Sequence, residues 1–378
     1  MRTFLLLLRR ELEEIKADPR RLMFLFGAAL AYLFLFGMLY LPNIVTAVPT
    51  VIYDEENSSF SRSLVRDFEA SDSYDILGYV TSEEEMRAAI AEKAAYAAID
   101  IPPDFSKQAK TGTGAAVLCY VNGSNIILTN ITTLAAQNIL ADFSNDLAAR
   151  QTALRTGADE GALRARVAPV AVHLRVLYNA TQGYLFFFLL GLAMVAFQQG
   201  ILFAAGASYT YEAEHPEEQT GARVWQVVAV KIAVYGTLAM LSYGLVVLAV
   251  TQLLGIPLHA PLGSLLLLAA VFILAALAFT LFFASFFPAV LPFVRACVLY
   301  PVPAFIFSGY TWPLASIPAP FQLAAQFFPL THLSNTVREL FLIGSSPSYE
   351  ASLAKLAGLA VLFLALGLPL YVRRLARK

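Results

Sequence analysis

Six stretches of this chain are too long and too apolar for a soluble protein: Leu22–Leu41, Tyr184–Ala207, Val224–Leu254, Leu262–Phe287, Phe293–Tyr310 and Leu353–Val372. Roughly 17 to 25 apolar residues, rising 1.5 Å each, cover a hydrocarbon core about 30 Å thick, so each run predicts a membrane-spanning helix. Composition agrees, with 58% of the 378 residues hydrophobic and 14% charged, against about 25% charged in soluble domains. The first run starts only near Leu22 and is too long for a cleavable signal, so it is expected to stay as a span. Pro301 and Pro303 predict a kink in the fifth span, where neighbouring helices can re-satisfy the freed carbonyls. The run from Val224 exceeds one crossing, and its start, up to Lys231, is expected at the interface.

The charges are unevenly placed. Of 27 acidic residues, 17 lie between Val48 and Tyr178, together with 11 of the 26 Lys and Arg. One aqueous domain, residues 42–180, is therefore inserted after the first span. Within it Val48–Tyr53, Ile76–Val80, Ala95–Ile101 and Ala115–Val121 read as strands, and Ser59–Ala70 as an amphipathic helix. Ser82 with Glu85 forms a capping box for a second helix. Asn125–Leu177 reads as mainly helical, broken near Gly157–Gly161. That alternation predicts a small α/β domain. A net charge near zero argues against a nucleic-acid partner, and Cys119 and Cys297 fall in different segments, so no structural disulfide is expected.

Residues 1–21 place Leu5, Leu8, Leu12 and Ile15 on one face of a helix and Arg9, Arg10, Glu13 and Lys16 on the other, the pattern of an amphipathic helix lying in the membrane interface. Pro19 ends it, because the residue before proline avoids the helical region. A second charged element, residues 208–223, joins the second and third spans. Its Glu212, Glu214, Glu217 and Glu218 are the only acidic residues between Glu160 and Glu339. A carboxylate at the bilayer centre costs about 2.5 to 3.5 kcal/mol even on a lenient scale, so this stretch is expected in water. It reads either as a handle for a soluble partner or as a solvated turn. Counting Lys and Arg near the span ends puts thirteen on the side of both termini and this loop, against Arg338 and Lys355 on the other. The eleven in the long domain do not count, because long domains translocate regardless of charge. Both termini and the loop are then expected in the cytoplasm, and the α/β domain outside.

Catalytic and phosphate-binding motifs are absent from the sequence. There is no G-x-x-x-x-G-K-[ST], no G-x-S-x-G or H-E-x-x-H, and His173, His215, His259 and His332 have no metal-ligand spacing. Gln198 and Gln199 interrupt the second span and read either as amides bonding across helices or as contacts on a substrate path. Residues 311–345 are too broken by Pro313, Pro318, Pro320 and Pro329 to span and too apolar for an ordinary loop. Two short re-entrant helices fit both constraints if protein packs around them; one amphipathic helix on the surface is the alternative.

Together these features resemble the permease subunit of the ABC-2 type exporters over nearly the whole chain. The resemblance rests on Arg10-Glu11 to Asp18-Pro19-Arg20 before the first span and on Glu212-Ala213-Glu214 to Thr220-Gly221 after the second. It rests also on Ser308-Gly309, Pro313, Pro318, Pro329, Arg338 and Gly344 before the last. The family's central loop commonly reads Glu-x-Glu-x-Gly-Thr; here residues 215–219 are interposed and the order is Thr220-Gly221. The implied fold is a six-helix ABC-2 type membrane protein with an inserted extracytoplasmic α/β domain, five of the spans lying in residues 181–378.

The resemblance implies a non-enzymatic transport subunit of a bacterial inner membrane, working as a dimer with a second copy or a paralogue. A separate ATP-binding subunit would bind ATP and Mg, with no cofactor on this chain. The implied coupling residues are Arg9, Arg10, Glu11, Asp18, Arg20, Glu212, Glu214, Thr220, Gly221 and Arg223. The re-entrant segment would carry Gly309, Trp312, Pro313, Pro318, Pro329 and Arg338. The apolar lining favours a lipophilic substrate such as a drug, a lipid or an envelope component, with membrane lipids around it. Whether a periplasmic adaptor docks outside stays open. The competing function is a membrane-anchored scaffold whose outer domain recognises an envelope partner, although six spans exceed what anchoring requires.

Overall fold

The computed structural model describes residues 2–42, 44–111, 113–157, 159, 161, 177–179, 183–215 and 223–376. The chain divides into two units, Ile44–Arg175 and Met1–Asn43 with Val176–Lys378.

The smaller unit is built on a four-stranded sheet in the order β2-β1-β3-β4, with β1 at Val48–Asp54, β2 at Tyr74–Tyr79, β3 at Ala97–Ile101 and β4 at Leu118–Val121. β1 runs parallel to β2 and β3, and β4 is antiparallel to β3. Alternate strand residues point to opposite faces. Ile52, Ile99 and Ile101 therefore pack on Leu64, Val65 and Phe68 of helix Ser61–Glu69, while Val51 and Ala98 pack with Met86 of helix Glu83–Ala91. Half of the predicted capping box forms: Ser82 Oγ accepts the Glu85 N–H at 3.1 Å, but the Glu85 carboxylate accepts the N–H of Thr81, one residue before the cap, at 2.8 Å. Helix Phe105–Thr111 was not expected from a segment opened by two prolines and rich in lysine and glutamine. The long helix Ile126–Thr156 ends where the break was predicted, with Gly157 at a left-handed φ of 69°. Most of the helix expected beyond it lies outside the described residues.

In the larger unit, six helices are long and apolar enough to cross a membrane: Arg20–Leu39, Tyr184–Glu214, Val224–Leu253, Leu262–Ala284, Val290–Phe307 and Tyr349–Leu375. Their ends fall within a few residues of the expected ones, with one instructive exception. The second span continues as helix through Glu214 instead of giving way to a loop at Ser208. The third ends in a π-helical turn, Ala249–Leu253. The fifth breaks at Tyr300 into Val290–Leu299 and Pro301–Phe307, because Pro301 and Pro303 lack the N–H that would continue the ladder, and Pro301 takes the first position of the second piece, where that loss costs least.

The second span is the centre of this unit. Of its most apolar window 78% is buried, against 22% for the first span and 28% for the sixth, and it packs on the first, third, fourth and fifth spans. Small residues permit the close crossings. A Cβ on Gly200 would stand 2.7 Å from the Phe24 carbonyl oxygen, and one on Gly206 would lie 2.0 Å from the Phe293 ring. Ser242 of the third span adds a hydrogen bond to the Leu25 carbonyl at 2.7 Å.

Helix Arg2–Ala17 precedes the first span, and Pro19 separates them as predicted. Part of its charged surface is turned to the protein. Leu7, Glu11 and Ile15, four residues apart, are buried, whereas Leu5 and Leu12 are exposed. Lys231 on the third span pairs with Glu11 on this inner face, beside the buried Leu7 and Ile15. After the fifth span come two short helices, Ala319–Ala325 and Pro329–Leu342. The second buries Leu330, Leu333, Val337, Leu340 and Phe341, whereas in the first only Ala325 is buried and Phe321 and Leu323 are exposed; two helices form here, and protein packs around the second.

Candidate functional site

Lys231 stands eight positions into the third span, with none of its surface exposed. A lone ammonium in that position needs anions, because burying an unpaired charge costs far more than burying a paired one. Its Nζ lies 2.6 Å from Glu11 Oε2 and 3.4 Å from Glu212 Oε2, and it donates to Ser208 Oγ at 2.5 Å. Ser208 in turn donates to Glu11 Oε1 at 2.5 Å. Three elements thus meet at one point: the N-terminal helix through Glu11, the end of the second span through Ser208 and Glu212, and the third span through Lys231.

A second shell of charge closes around this core. Arg10 bridges Glu14 at 3.0 Å and Glu212 at 3.3 Å. Arg21, at the start of the first span, lies 3.5 Å from Glu14 and 3.8 Å from Glu11, bonds the Tyr235 hydroxyl at 3.3 Å and sits over the Tyr211 ring. Burial alone would raise the Glu11 carboxyl, but Lys231, the Ser208 hydroxyl and Arg21 outweigh it and hold the group below its ordinary value. Glu14 goes the other way. Burial, reinforced by repulsion from Glu11 and Glu212, raises it despite the pull of Lys231 and Arg10. Close ion pairs and a raised carboxyl are opposing signs, and here desolvation wins because Glu14 shares its cations with two other carboxylates.

Of the residues expected to act in coupling, Arg10, Glu11 and Glu212 enter this cage. Glu212 is only 3% exposed, so it is held by protein and not bathed in water as the sequence suggested; Arg10 and Lys231 replace the solvent. The others stay peripheral. Arg9 is exposed and pairs with Glu13 at 2.9 Å, Asp18 pairs with Arg20 at 2.7 Å, and Glu214 accepts the Val290 N–H at 3.3 Å. Arg223 is exposed at the start of the third span, its backbone N–H on the Gln226 side chain at 3.1 Å. Thr220 and Gly221 lie outside the described residues.

Glu14, Ser208, Arg21 and Tyr235 were missed in the sequence, as was Lys231 as a buried group. One signal could have found the last, since a single lysine inside an apolar run demands a carboxylate somewhere else in the chain.

Gln198 and Gln199 bond across to the fifth span, the first to the Tyr300 hydroxyl and the second to the Cys297 carbonyl, both at 2.7 Å. They bind the broken span to the central one, while their side-chain oxygens are buried without a hydrogen-bond partner. In the segment after the fifth span Gly309 takes a left-handed φ of 72° and Trp312 is exposed. Pro313 and Pro318 precede helical turns and Pro329 opens the longer helix. Arg338 lies 4.9 Å from the centre of the Phe187 ring and 4.5 Å from that of Tyr310. Among the described residues no group of three or more His, Cys, Asp or Glu could hold a metal ion.

The chain is similar to the probable multidrug ABC transporter permease YbhR of Escherichia coli strain K12, with 22% identity over 345 residues, 90% of either chain. The same protein of E. coli O157:H7 matches equally. The profile of the ABC-2 family transporter proteins matches residues 20–372. Six membrane-crossing helices, a charged helix locked to their base and a match over nearly the entire length carry one conclusion: this chain belongs to the ABC-2 family and is the membrane-spanning permease subunit of an ABC transporter, not a catalytic one.

Proposed function

We propose that this permease exports a lipophilic substrate, and that its ATP-binding partner drives it by gripping the N-terminal helix and the 212–223 connector from the cytoplasm. The observation that carries this is the cage of Glu11, Ser208, Lys231 and Glu212. It makes the N-terminal helix one mechanical body with the second and third spans, so a force on the helix moves the membrane core instead of hinging at Pro19. Nucleotide can drive such a change only by favouring one state of the assembly over the other, which here means acting through the partner. Exposed Arg9 and Arg223 are suited to partner contact, whereas the buried carboxylates transmit. Similarity to the probable multidrug ABC transporter permease of E. coli supports a drug-like substrate. In this reading the chain is a multi-pass protein of the bacterial inner membrane, with both termini inside, the α/β unit outside and a second permease alongside.

The test pairs topology with coupling. Cysteine placed at Arg223 should react with an impermeant maleimide only after the cells are opened, and labelling from outside intact cells would invert the topology. Arg9→Glu with Arg223→Glu should weaken co-purification of the ATP-binding subunit without lowering the melting temperature of the permease. Undiminished co-purification would remove the N-terminal helix and connector as the grip.

A further inference from the structure

The opposite end of the second span carries a second constellation, which coupling leaves unexplained. Arg338, on helix Pro329–Leu342, projects its guanidinium between the rings of Phe187, at the start of the second span, and Tyr310, just after the fifth. The clamp is built. The Tyr310 hydroxyl is bonded to the Phe187 carbonyl, and the Tyr310 ring fits only because position 191 is glycine, where a Cβ would stand 2.5 Å from it. Arg338 Nη2 donates to Asn335 Oδ1 at 2.9 Å, and Asn335 Nδ2 donates to the Ser308 carbonyl at 3.1 Å. The fork is thereby aimed and held.

Its charge is left unanswered. Among the described residues no carboxylate lies within ion-pair distance of Arg338, and its Nη1 is buried with no hydrogen-bond partner. Glu339 is next in the chain, but successive residues point about 100° apart on a helix, and it makes no ion pair with Arg338. Aromatic faces offset part of the cost of a half-buried cation, yet they do not use a planar fork whose geometry matches carboxylate and phosphate. In a membrane protein, an ionisable group held among apolar helices, positioned but unpaired, points to a ligand.

We propose that Arg338 is the anion-recognition point of an amphiphile site between the second span, the fifth span and the re-entrant helices. Its ligand is a molecule with an acyl or aromatic body and a single phosphate or carboxylate head. Phe187 and Tyr310 orient the guanidinium, and Asn335 fixes its rotation. The site rests on the exporter reading only for the question of whether the amphiphile is cargo; the binding itself requires no ATP-binding partner.

The full-length chain is reconstituted in phosphatidylcholine nanodiscs, and two probes are titrated. Phosphatidylglycerol tests a bilayer lipid, and dodecyl phosphate tests a free amphiphile, with dodecyl-phosphocholine as the zwitterionic control. Wild type should bind at least one anionic probe about tenfold more tightly than the control, the factor to which about 1.4 kcal/mol corresponds. Arg338→Met should abolish that preference, and Arg338→Lys, which keeps the charge but loses the fork, should retain part of it. Melting temperatures separate lost binding from lost folding, and Asn335→Ala, which frees the guanidinium without removing it, gives a weakened preference if Arg338→Met does not fold. Preference for phosphatidylglycerol alone identifies a structural lipid, and preference for dodecyl phosphate identifies a cargo-like ligand. No anionic preference in wild type, or the same preference in Arg338→Met or an unchanged one in Asn335→Ala, overturns the site. Because no ATP is involved, a failure here is distinct from a failure of coupling.

Discussion

Replacing Lys231 by Met is the sharpest perturbation of the cage, because the side chain is 1% exposed and touches three partners on two other helices. The volume is nearly kept, so the loss is electrostatic. Glu11 and Glu212, with side chains 5% and 4% exposed, would be left as buried carboxylates. Removing one partner of a buried pair costs about 3 to 5 kcal/mol. Arg21 at 3.8 Å from Glu11 and Arg10 at 3.3 Å from Glu212 remain as weaker substitutes, which places the cost near the lower bound, about 3 kcal/mol. Glu11→Gln should cost a similar amount by stranding the ammonium with Glu212 alone. In the double variant neither charge is stranded by the other. A cycle should therefore give an interaction term of up to about 3 kcal/mol, the double variant scarcely less stable than the worse single. The measurement is denaturant unfolding of the purified chain in micelles, with all four proteins compared. Additivity of the two single changes to within about 0.5 kcal/mol would refute the claim that these residues act as one unit.

Three further outcomes follow from particular side chains. Glu14→Gln removes a carboxyl whose raised value means that the folded state disfavours its charge. That contribution favours folding at low pH and is lost as pH rises from the ordinary value of 4.5 through the raised one. The variant should thus melt no lower than wild type at pH 7, and its advantage should vanish below about pH 4.5. Glu11 has the opposite sign, since its lowered value stabilises above 4.5 and fails on acidification through that lowered value, so Glu11→Gln should flatten the acid limb of wild-type stability. Gly200→Ala should cost about 1 to 3 kcal/mol, because the obstructing atom is the backbone oxygen of Phe24 and cannot swing away; Gly244→Ala, with nothing within 4 Å, should cost nothing measurable in the same melts.

What was legible in the sequence was whatever periodicity and proline chemistry encode. Apolar length located six spans, all but the end of the second to within a few residues, Pro19 separated helix from span, and Pro301 located the break of the fifth. Strand alternation and the Ser82–Glu85 pair located the inserted sheet and one of its helix starts. What stayed hidden depended on partners distant in the chain. Glu11 and Lys231 are 220 residues apart, and a local reading of charge assigns each to water. The same reading ended the second span at Ser208, since Glu212 looked too costly for a helix among apolar neighbours. A cation from another helix cancels that cost, and the helix continues. Arg338 was legible as a member of the segment before the last span but not as a clamped cation, because Phe187 lies more than a hundred positions away.

The two constellations stand near opposite ends of one helix, Phe187 to Glu212, roughly 37 Å apart at 1.5 Å per residue. Between them the second span carries no ionisable group except tyrosine, and its contacts with the first and fifth spans are close ones at Gly200 and Gly206. Packing of that density is stiff and bistable instead of softly deformable. A displacement imposed on Glu11 by a partner therefore cannot be absorbed locally without breaking the Lys231 bonds, and it is carried by the second span as a body. Its far end holds one wall of the Arg338 clamp through Phe187, while Tyr310 and Asn335 belong to other elements. Moving one wall changes how tightly the guanidinium is enclosed. A transporter must bind its cargo differently in its two states if ATP is to do work on it. Where the test above identifies the Arg338 ligand as cargo, an arginine whose enclosure is set by the same helix that carries the ion cage meets that requirement with the residues this chain already has.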